Sequence, residues 1–259
     1  METDPQDAAA RFAKDGCVVL EDVFDPALID ALREEYRRQV PDVETAPPGD
    51  AYQVGHKRLQ IAVGLLGPFA SPSFYANPRL TELAGAALGE DFLIDSIAVV
   101  TALPGAADQH LHTDHSDLFL DRPMARPVIG AYATTVAIPL VDLTPETGTT
   151  MLFAGSHRQG CDEERILRPF VKRGAAYVMD YRLTHQGMAN ASAKERPIIY
   201  LVYARPWFID VTNYGNNIRI NLPADALGNI PAEHRKLFRR LAARGSFDRT
   251  EKELFPAAE

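Results

Sequence analysis

The sequence predicts a mainly β protein with flanking helices and a double-stranded β-helix, or jelly-roll, core. Between residues 92 and 208, short apolar segments rich in β-branched and aromatic residues follow one another. Turn sequences such as PG, PETG and AGSH separate these segments, and helical periodicity is confined to the two ends of the chain. Short strands between regularly spaced turns are typical of an antiparallel sandwich or barrel.

The N-terminal part, residues 8–90, is predicted to be mostly helical. Asp25 is a suitable N-cap and Pro26 suits the first helical position, and apolar residues then recur on one helix face. A short strand, CVVLEDV, precedes this helix. Residues 41–58 are rich in proline, glycine and polar groups, which favours a loop.

The remaining elements follow in order along the chain. A second capped helix is predicted to begin after Asn77 and to end near Gly89. The jelly-roll core then occupies about residues 92–208, and a polar segment and a last helix fill residues 209–259. The sequence contains no internal repeat, low-complexity tract or linker. We therefore expect one domain across residues 1–259.

Composition excludes several classes of function. The chain has 259 residues, of which 46% are hydrophobic, and a net charge of −8, so no basic field attracts nucleic acid or an anionic membrane. Two cysteines cannot form a disulfide framework or a zinc cluster. The N-terminus lacks the apolar segment of a signal peptide, and no apolar run is long enough for a membrane span. We expect a cytoplasmic protein that acts on a small molecule, and no pattern indicates an oligomeric state.

The stretch DQHLHTDHSDLF is unusually rich in groups that bind metals, with three of the seven histidines and three aspartates. If it is extended, His110, His112 and Asp114 share one face and His115 points to the other. A His-x-Asp pair on one strand offers two ligands from one rigid element. A non-haem Fe(II) centre uses two histidines and one carboxylate on one face and leaves the other positions open.

A third ligand and a nearby cation come from later in the chain. His185 lies between two predicted strands, AAYVMDY and RPIIYLVY, and Arg196 begins the second of them. An arginine beside the metal could grip a carboxylate with two hydrogen bonds. A metal triad with such an arginine suits a metal-chelating keto acid that carries a distant carboxylate, and 2-oxoglutarate has this shape.

These residues resemble the phytanoyl-CoA dioxygenase (PhyH) family of Fe(II)/2-oxoglutarate-dependent oxygenases, which have a cupin-like jelly roll. The resemblance begins at FAKDGCVVLEDVFDPALIDALREEY and continues through QHLHTD, VDLTPETGTTMLFAGSHRQG and THQGMANASAKERP. It implies that the iron ligands are His112, Asp114 and His185. It also implies cosubstrate contacts, in which Arg196 binds the distal carboxylate of 2-oxoglutarate and Gln109 and Thr150 add hydrogen bonds.

The resemblance further implies an enzyme, an oxidoreductase that consumes 2-oxoglutarate and O2 and releases succinate and CO2. Hydroxylation of an unactivated C–H bond in a small metabolite is the default reaction, while desaturation, epoxidation and rearrangement stay open. The expected substrate contacts are His56, Arg58, His115 and Asn213, although the first two also fit a solvated loop. This mixture of side chains favours a small polar or anionic metabolite.

A cupin-type metal site is the competing interpretation. It would use His110, His112 and His185, in a dioxygenase or isomerase independent of 2-oxoglutarate or in a binding module without enzymatic activity. The cupin motif has a glycine before a His-x-His pair and a glutamate after it. The match is poor because Gly105 is one residue too close to the histidine pair, and because Asp117 stands in place of the glutamate. It also gives Arg196 no role, so we predict that His110 is not a ligand.

Overall fold

The computed structural model describes residues 5–43, 51–115, 118, 129–210, 219–221, 226 and 228–240. Its α-helices are α1 (Pro5–Asp15), α2 (Pro26–Gln39), α3 (Pro72–Tyr75) and α4 (Pro78–Leu88). Short 3-10 helices cover Gly67–Ala70, Glu163–Arg165 and Ala232–Phe238. Within the described ranges, no helix combines the length and the apolar character that a membrane crossing needs.

Among the described residues, ten strands form two antiparallel sheets. They are β1 (Cys17–Leu20), β2 (Ala51–Gly55), β3 (Arg58–Ala62), β4 (Leu93–Ala102), β5 (Ala133–Pro139), β6 (Thr150–Phe153), β7 (Ile166–Leu167), β8 (Ala176–Asp180), β9 (His185–Gly187) and β10 (Arg196–Ala204). The large sheet has the order β1-β8-β5-β10-β4-β3-β2, and the small sheet has the order β7-β6-β9. The predicted mainly β class with flanking helices is confirmed.

The helices begin where their capping residues predict. The side chain of Asp25 accepts a hydrogen bond from the backbone N–H of Ala27 at 2.8 Å, and that of Asn77 accepts one from Arg79 at 3.1 Å. Gly89 ends α4 with φ 85°, a conformation that favours glycine. Each cap satisfies a backbone donor that the first helical turn leaves without a partner.

One local prediction was wrong. Residues 51–58, expected to belong to a loop within a helical region, form most of the β2–β3 hairpin at the edge of the large sheet. Apolar residues in this stretch do alternate with polar ones, but the preceding Pro- and Gly-rich segment hides the pattern. The hairpin turn also depends on a positive φ of 52° at Lys57, which propensity does not favour.

Other differences concern short or terminal elements. Strands β7 and β9 contain two and three residues, too few to produce a periodic signal. The expected C-terminal helix is a 3-10 helix over Ala232–Phe238, and the rest of it lies outside the described residues. The shared face of the QHLHTD stretch depended on an extended conformation, and in the structure His112 of this stretch forms an isolated β-bridge with His185.

The hydrophobic core has two main parts, one on each face of the large sheet. Helix residues pack against the outer face, where Leu32 and Phe74 meet Ile97 and Ile199 in one buried cluster. Side chains on the inner face point between the two sheets, including Tyr177, Met179 and Ile198 with Leu152 of the small sheet. The inner space is therefore lined by β4, β5, β8 and β10 and closed by the small sheet.

Candidate active site

Three potential metal ligands converge between the two sheets. One ligand atom from each of His112, Asp114 and His185 lies within 4.8 Å of the other two. The convergence follows from the β-bridge, because the backbone N–H groups of His112 and His185 donate to each other's carbonyl oxygens at 3.0 and 2.8 Å. Two residues further along, Asp114 Oδ1 lies 3.5 Å from His185 Nε2.

Backbone contacts orient both imidazole rings. His112 Nδ1 lies 2.8 Å from the carbonyl oxygen of His110, and His185 Nδ1 lies 2.9 Å from that of Leu183. A carbonyl oxygen only accepts, so each Nδ1 carries the proton and each Nε2 keeps a free lone pair. This arrangement is common among histidines that bind metals. The donor set of two imidazoles and one carboxylate therefore fits a divalent ion such as Fe(II).

Thr135 on β5 orients the carboxylate. Its buried hydroxyl donates a hydrogen bond of 2.7 Å to Asp114 Oδ2, which leaves Oδ1 facing His185. Groups that position metal ligands in this way typically change metal affinity by about 10–100-fold when they are removed. Sequence reasoning missed Thr135, because a threonine in a mainly apolar strand gives no signal of a role beside the metal.

We expect Thr135→Val to weaken divalent-metal binding by about 10–100-fold, because the variant keeps the shape of the side chain and loses the donor. Thr134→Val is the matched control, since the neighbouring Thr134 is equally buried and its hydroxyl has no hydrogen-bond partner among the described residues. Titration of both variants with Mn(II) tests this role. Equal affinities in the two variants would contradict it.

The electrostatic environment keeps the first histidine neutral. Burial, and then the charge of His185, lowers the pKa of His112 from its usual value of 6.5. Ligation needs the neutral ring, so acid should release the metal only below that value. The unfolded chain takes up this proton at a higher pH than the folded protein, so the metal-free protein should also lose stability as pH falls below about 6.5.

We accordingly expect Mn(II) affinity at pH 6.5 to be close to that at pH 7.5 and to decline only at lower pH. Isothermal titration across this range checks the expectation, with unfolding of the metal-free protein followed in parallel. Loss of half the metal above pH 7 would mean that His112 is not shielded in this way.

A buried arginine lies further along the inner face. Arg196 is 1% exposed, and its Nη1 donates to the carbonyl oxygens of Thr147 and Met188 at 2.8 and 2.9 Å. Its Nε is buried without a partner among the described residues. Two carboxylates that could pair with Arg196 at the surface, those of Glu195 and Asp180, are instead paired with Arg37 and Arg182. Burial lowers the pKa of Arg196. Keeping this charge away from water therefore costs free energy, and a bound anion would offset that cost.

Arg58 is a second buried cation in the same region. It begins β3, is 2% exposed, and its Nη2 donates to the carbonyl oxygens of Ala107 and Met188 at 3.1 and 3.0 Å. Burial, and then the positive charge of Arg196, lowers its pKa to about 10. The structure thus places Arg58 inside the protein and near Arg196, away from a solvated loop.

Gln109 links the β2–β3 hairpin to the strand that carries His185. Its Nε2 donates to the carbonyl oxygen of Val54 at 2.6 Å, and its Oε1 accepts from the backbone N–H of Gly187 at 3.2 Å. A Cβ at Gly187 would lie 2.2 Å from Gln109 Oε1 and 2.8 Å from Arg58 Nη1. A larger residue at position 187 would therefore displace the ends of the Gln109 and Arg58 side chains.

Hydroxyl groups surround the remaining predicted cosubstrate residue. Thr150 Oγ1 lies 2.8 Å from the hydroxyl of Tyr177 and 3.1 Å from that of Tyr200. Burial raises the pKa of Tyr177 well above its usual value, so its hydroxyl stays protonated. Sequence reasoning missed both tyrosines, although Tyr200 shares the inner face of β10 with Arg196, four residues away.

The other predicted residues are scattered. His110 is exposed and lies outside the converging group, although its ring centroid is 5.1 Å from that of His112. His115 packs edge-on against Phe208, with ring centroids 5.2 Å apart. His56 is exposed in the turn between β2 and β3. Asn213 lies outside the described residues.

A family model and a curated relative match the amino-acid sequence of this chain. The family model described as Phytanoyl-CoA dioxygenase (PhyH) matches residues 12–198. A protein of Aspergillus fumigatus named dioxygenase af480 is 30% identical over 146 residues, which are 53% of this chain and 46% of that protein. The chain spans about half the length of the curated relatives it matches.

Solved structures share the fold. HygX from Streptomyces hygroscopicus, with nickel and 2-oxoglutarate bound, is 16% identical with a TM-score of 0.62, over 83% of this chain and 94% of that one. The epimerase SnoN, in complex with Fe3+, alpha ketoglutarate and nogalamycin RO, is 18% identical with a TM-score of 0.59, over 85% of this chain and 94% of that one. At these identities the likeness establishes a shared jelly-roll architecture.

Proposed function

Because the chain belongs to the phytanoyl-CoA dioxygenase family and is therefore an oxidoreductase, we propose that it is a non-haem Fe(II) enzyme that uses 2-oxoglutarate and dioxygen to oxidise a small molecule. The observation that carries the proposal is the pairing of a converged His112–Asp114–His185 triad with a buried arginine that has no carboxylate partner among the described residues. Structural neighbours captured with a metal and 2-oxoglutarate support this choice.

The triad would hold the iron. Nε2 of each histidine and Oδ1 of Asp114 face one another, and Thr135 and the backbone carbonyls fix their orientations. With 2-oxoglutarate and dioxygen, a bound iron supplies the oxidising power for breaking a C–H bond while succinate and CO2 are released. The protein contributes rigid placement of its ligands and exclusion of water.

Arg196 would bind the distal carboxylate of 2-oxoglutarate. Its guanidinium uses one nitrogen for two backbone carbonyls and leaves Nε without a partner among the described residues. Thr150 and Tyr200 place hydroxyl groups on the same inner face, and Gln109 with Arg58 closes the region near the metal ligands. Arg58 adds a second buried positive charge near Arg196, and a bound carboxylate would offset the repulsion between them.

Hydroxylation of an unactivated C–H bond is the finer proposal. Asp114 occupies the ligand position that related halogenases leave to a halide, so oxygen transfer is expected in place of halogenation. An epimerase among the structural neighbours shows that this fold also supports a different outcome. The fold does not decide the reaction, which depends on how the substrate is held.

The test is succinate release in the presence of Fe(II) and 2-oxoglutarate, measured against a broad panel of metabolites with product analysis by mass spectrometry. We expect succinate to form with a substrate in the panel and the product to gain one oxygen atom. Turnover that needs the metal but not 2-oxoglutarate would favour the cupin-type alternative.

A further inference from the structure

The inner face of β10 has two chemically different ends. Arg196 and Tyr200 lie toward its start, while Val202 and Ala204 lie toward its end in an aromatic cluster. Thr135, which holds the Asp114 carboxylate, pairs in register with Val202. The triad therefore lies beside the aromatic end, and the cosubstrate of the proposed function would fill the space on the arginine side. A substrate must then approach from the aromatic end.

Aromatic rings lead from the triad to the protein surface. His115 follows the ligand Asp114 and lies against Phe208, whose ring centroid is 4.6 Å from that of Tyr132. The Trp207 ring lies 6.3 Å from Tyr132 and is 61% exposed, whereas Tyr132 and Phe208 are buried. An exposed indole that is continuous with a buried cluster at a candidate active site marks a binding surface for an apolar group.

The arginine side chains at this end are already engaged by other groups of the protein. Three arginines each form an ion pair with a buried carboxylate: Arg182 with Asp180, and Arg219 and Arg240 with Asp95. Arg205, next to this cluster, donates instead to the carbonyl oxygens of Ala87 and Ala131. An anionic substrate would have to compete with these existing contacts, and breaking a buried ion pair is strongly unfavourable.

We propose that the substrate is an uncharged molecule with a flat, apolar ring system that docks against Trp207 and reaches the metal along the His115 and Phe208 rings. This inference rests on the proposed function, because it takes the arginine side as the cosubstrate site. It replaces the sequence-based expectation of a polar or anionic metabolite. That expectation relied on basic residues that the structure places elsewhere, such as the buried Arg58.

The probe is 2-naphthol, compared with 2-naphthoate, which has the same ring system and a negative charge. The protein is loaded with Mn(II) and 2-oxoglutarate. Binding of Mn(II) and of 2-oxoglutarate to the wild-type protein is first measured by titration. Proton NMR then follows broadening of the probe lines by the paramagnetic ion, with Zn(II)-loaded protein as the diamagnetic reference. We expect broadening for 2-naphthol and at least tenfold weaker binding of 2-naphthoate.

Trp207→Ala should weaken 2-naphthol binding by about tenfold or more, the scale of one lost aromatic contact. Trp207→Phe should keep most of it. Phe170→Ala is the matched control, since Phe170 is an aromatic residue 40% exposed outside this cluster. If 2-oxoglutarate binds but the Trp207→Ala protein binds 2-naphthol like wild type, or 2-naphthoate binds as well as 2-naphthol, the substrate inference is wrong. Failure of Mn(II) or 2-oxoglutarate to bind would instead overturn the proposed function itself.

Discussion

Replacing Asp114 with alanine should leave a folded protein that no longer retains a divalent metal and releases no succinate above background. Asp114 supplies the one carboxylate of the converged triad, and its side chain is 21% exposed, so its removal leaves the core intact. Because loss of a group that only orients a ligand already costs about 10–100-fold in metal affinity, loss of the ligand itself should cost at least about 100-fold.

The matched control is His110→Ala. This histidine lies close to His112 in sequence and space but is exposed and outside the converging group. Its loss should leave Mn(II) affinity within about threefold of wild type, measured by titration alongside circular dichroism. The reverse pattern, in which His110→Ala loses the metal and Asp114→Ala keeps it, would establish the three-histidine site of the cupin-type alternative.

Replacing Arg196 with alanine should weaken 2-oxoglutarate binding by about 30-fold to a few thousand-fold. Removing one partner of a buried charge pair costs about 2–5 kcal/mol, and each 1.4 kcal/mol is about tenfold in affinity. Arg196→Lys should recover only part of the loss, because an ammonium group cannot reproduce the planar, two-pronged contact. Metal affinity without 2-oxoglutarate should hardly change.

Arg37→Ala provides the control for the loss of a positive charge. Arg37 pairs with Glu195, the neighbour of Arg196 in the sequence, and its side chain is 55% exposed. An exposed ion pair contributes about 0–1 kcal/mol, so this variant should bind 2-oxoglutarate almost as wild type does. A titration of Mn(II)-loaded protein separates the two effects, and an affinity of Arg196→Ala within threefold of wild type would remove Arg196 from the site.

The metal triad could be proposed from sequence because its members carry distinctive chemistry. Two ligands are two residues apart and the third lies before a strand, so a short bridge brings all three together. The inward placement of Arg196 was also predictable, because it begins a long apolar strand. The caps at Asp25 and Asn77 are local in sequence, and the structure confirms both.

Other parts of the site could not be predicted because they depend on distant contacts. Tyr177 and Tyr200 are ordinary strand residues until β8 and β10 place both hydroxyls beside Thr150. In the sequence, Arg58 fits an exposed cation in a solvated loop. Its burial follows from the β2–β3 hairpin, which the sequence did not predict. Likewise, the aromatic cluster brings together residues that are far apart in the sequence, such as Tyr132, Tyr181 and Phe208.

The apolar substrate surface that we propose differs from the polar one that the sequence favours. Counting basic residues in loops treats each as available for a substrate, yet Arg58 is buried beside Arg196. Burial and ion pairing depend on the fold, and a count of residue types cannot supply them.

The most direct test of a 2-oxoglutarate-dependent iron centre is the visible absorbance of the protein with Fe(II) and 2-oxoglutarate under strictly anaerobic conditions. Chelation of the keto acid by Fe(II) in the triad should produce a weak charge-transfer band that neither component gives alone, and Asp114→Ala should abolish it. Absence of the band from wild-type protein, with Fe(II) and 2-oxoglutarate both shown to be bound, would contradict the proposed cosubstrate role and favour a metal-containing binding module.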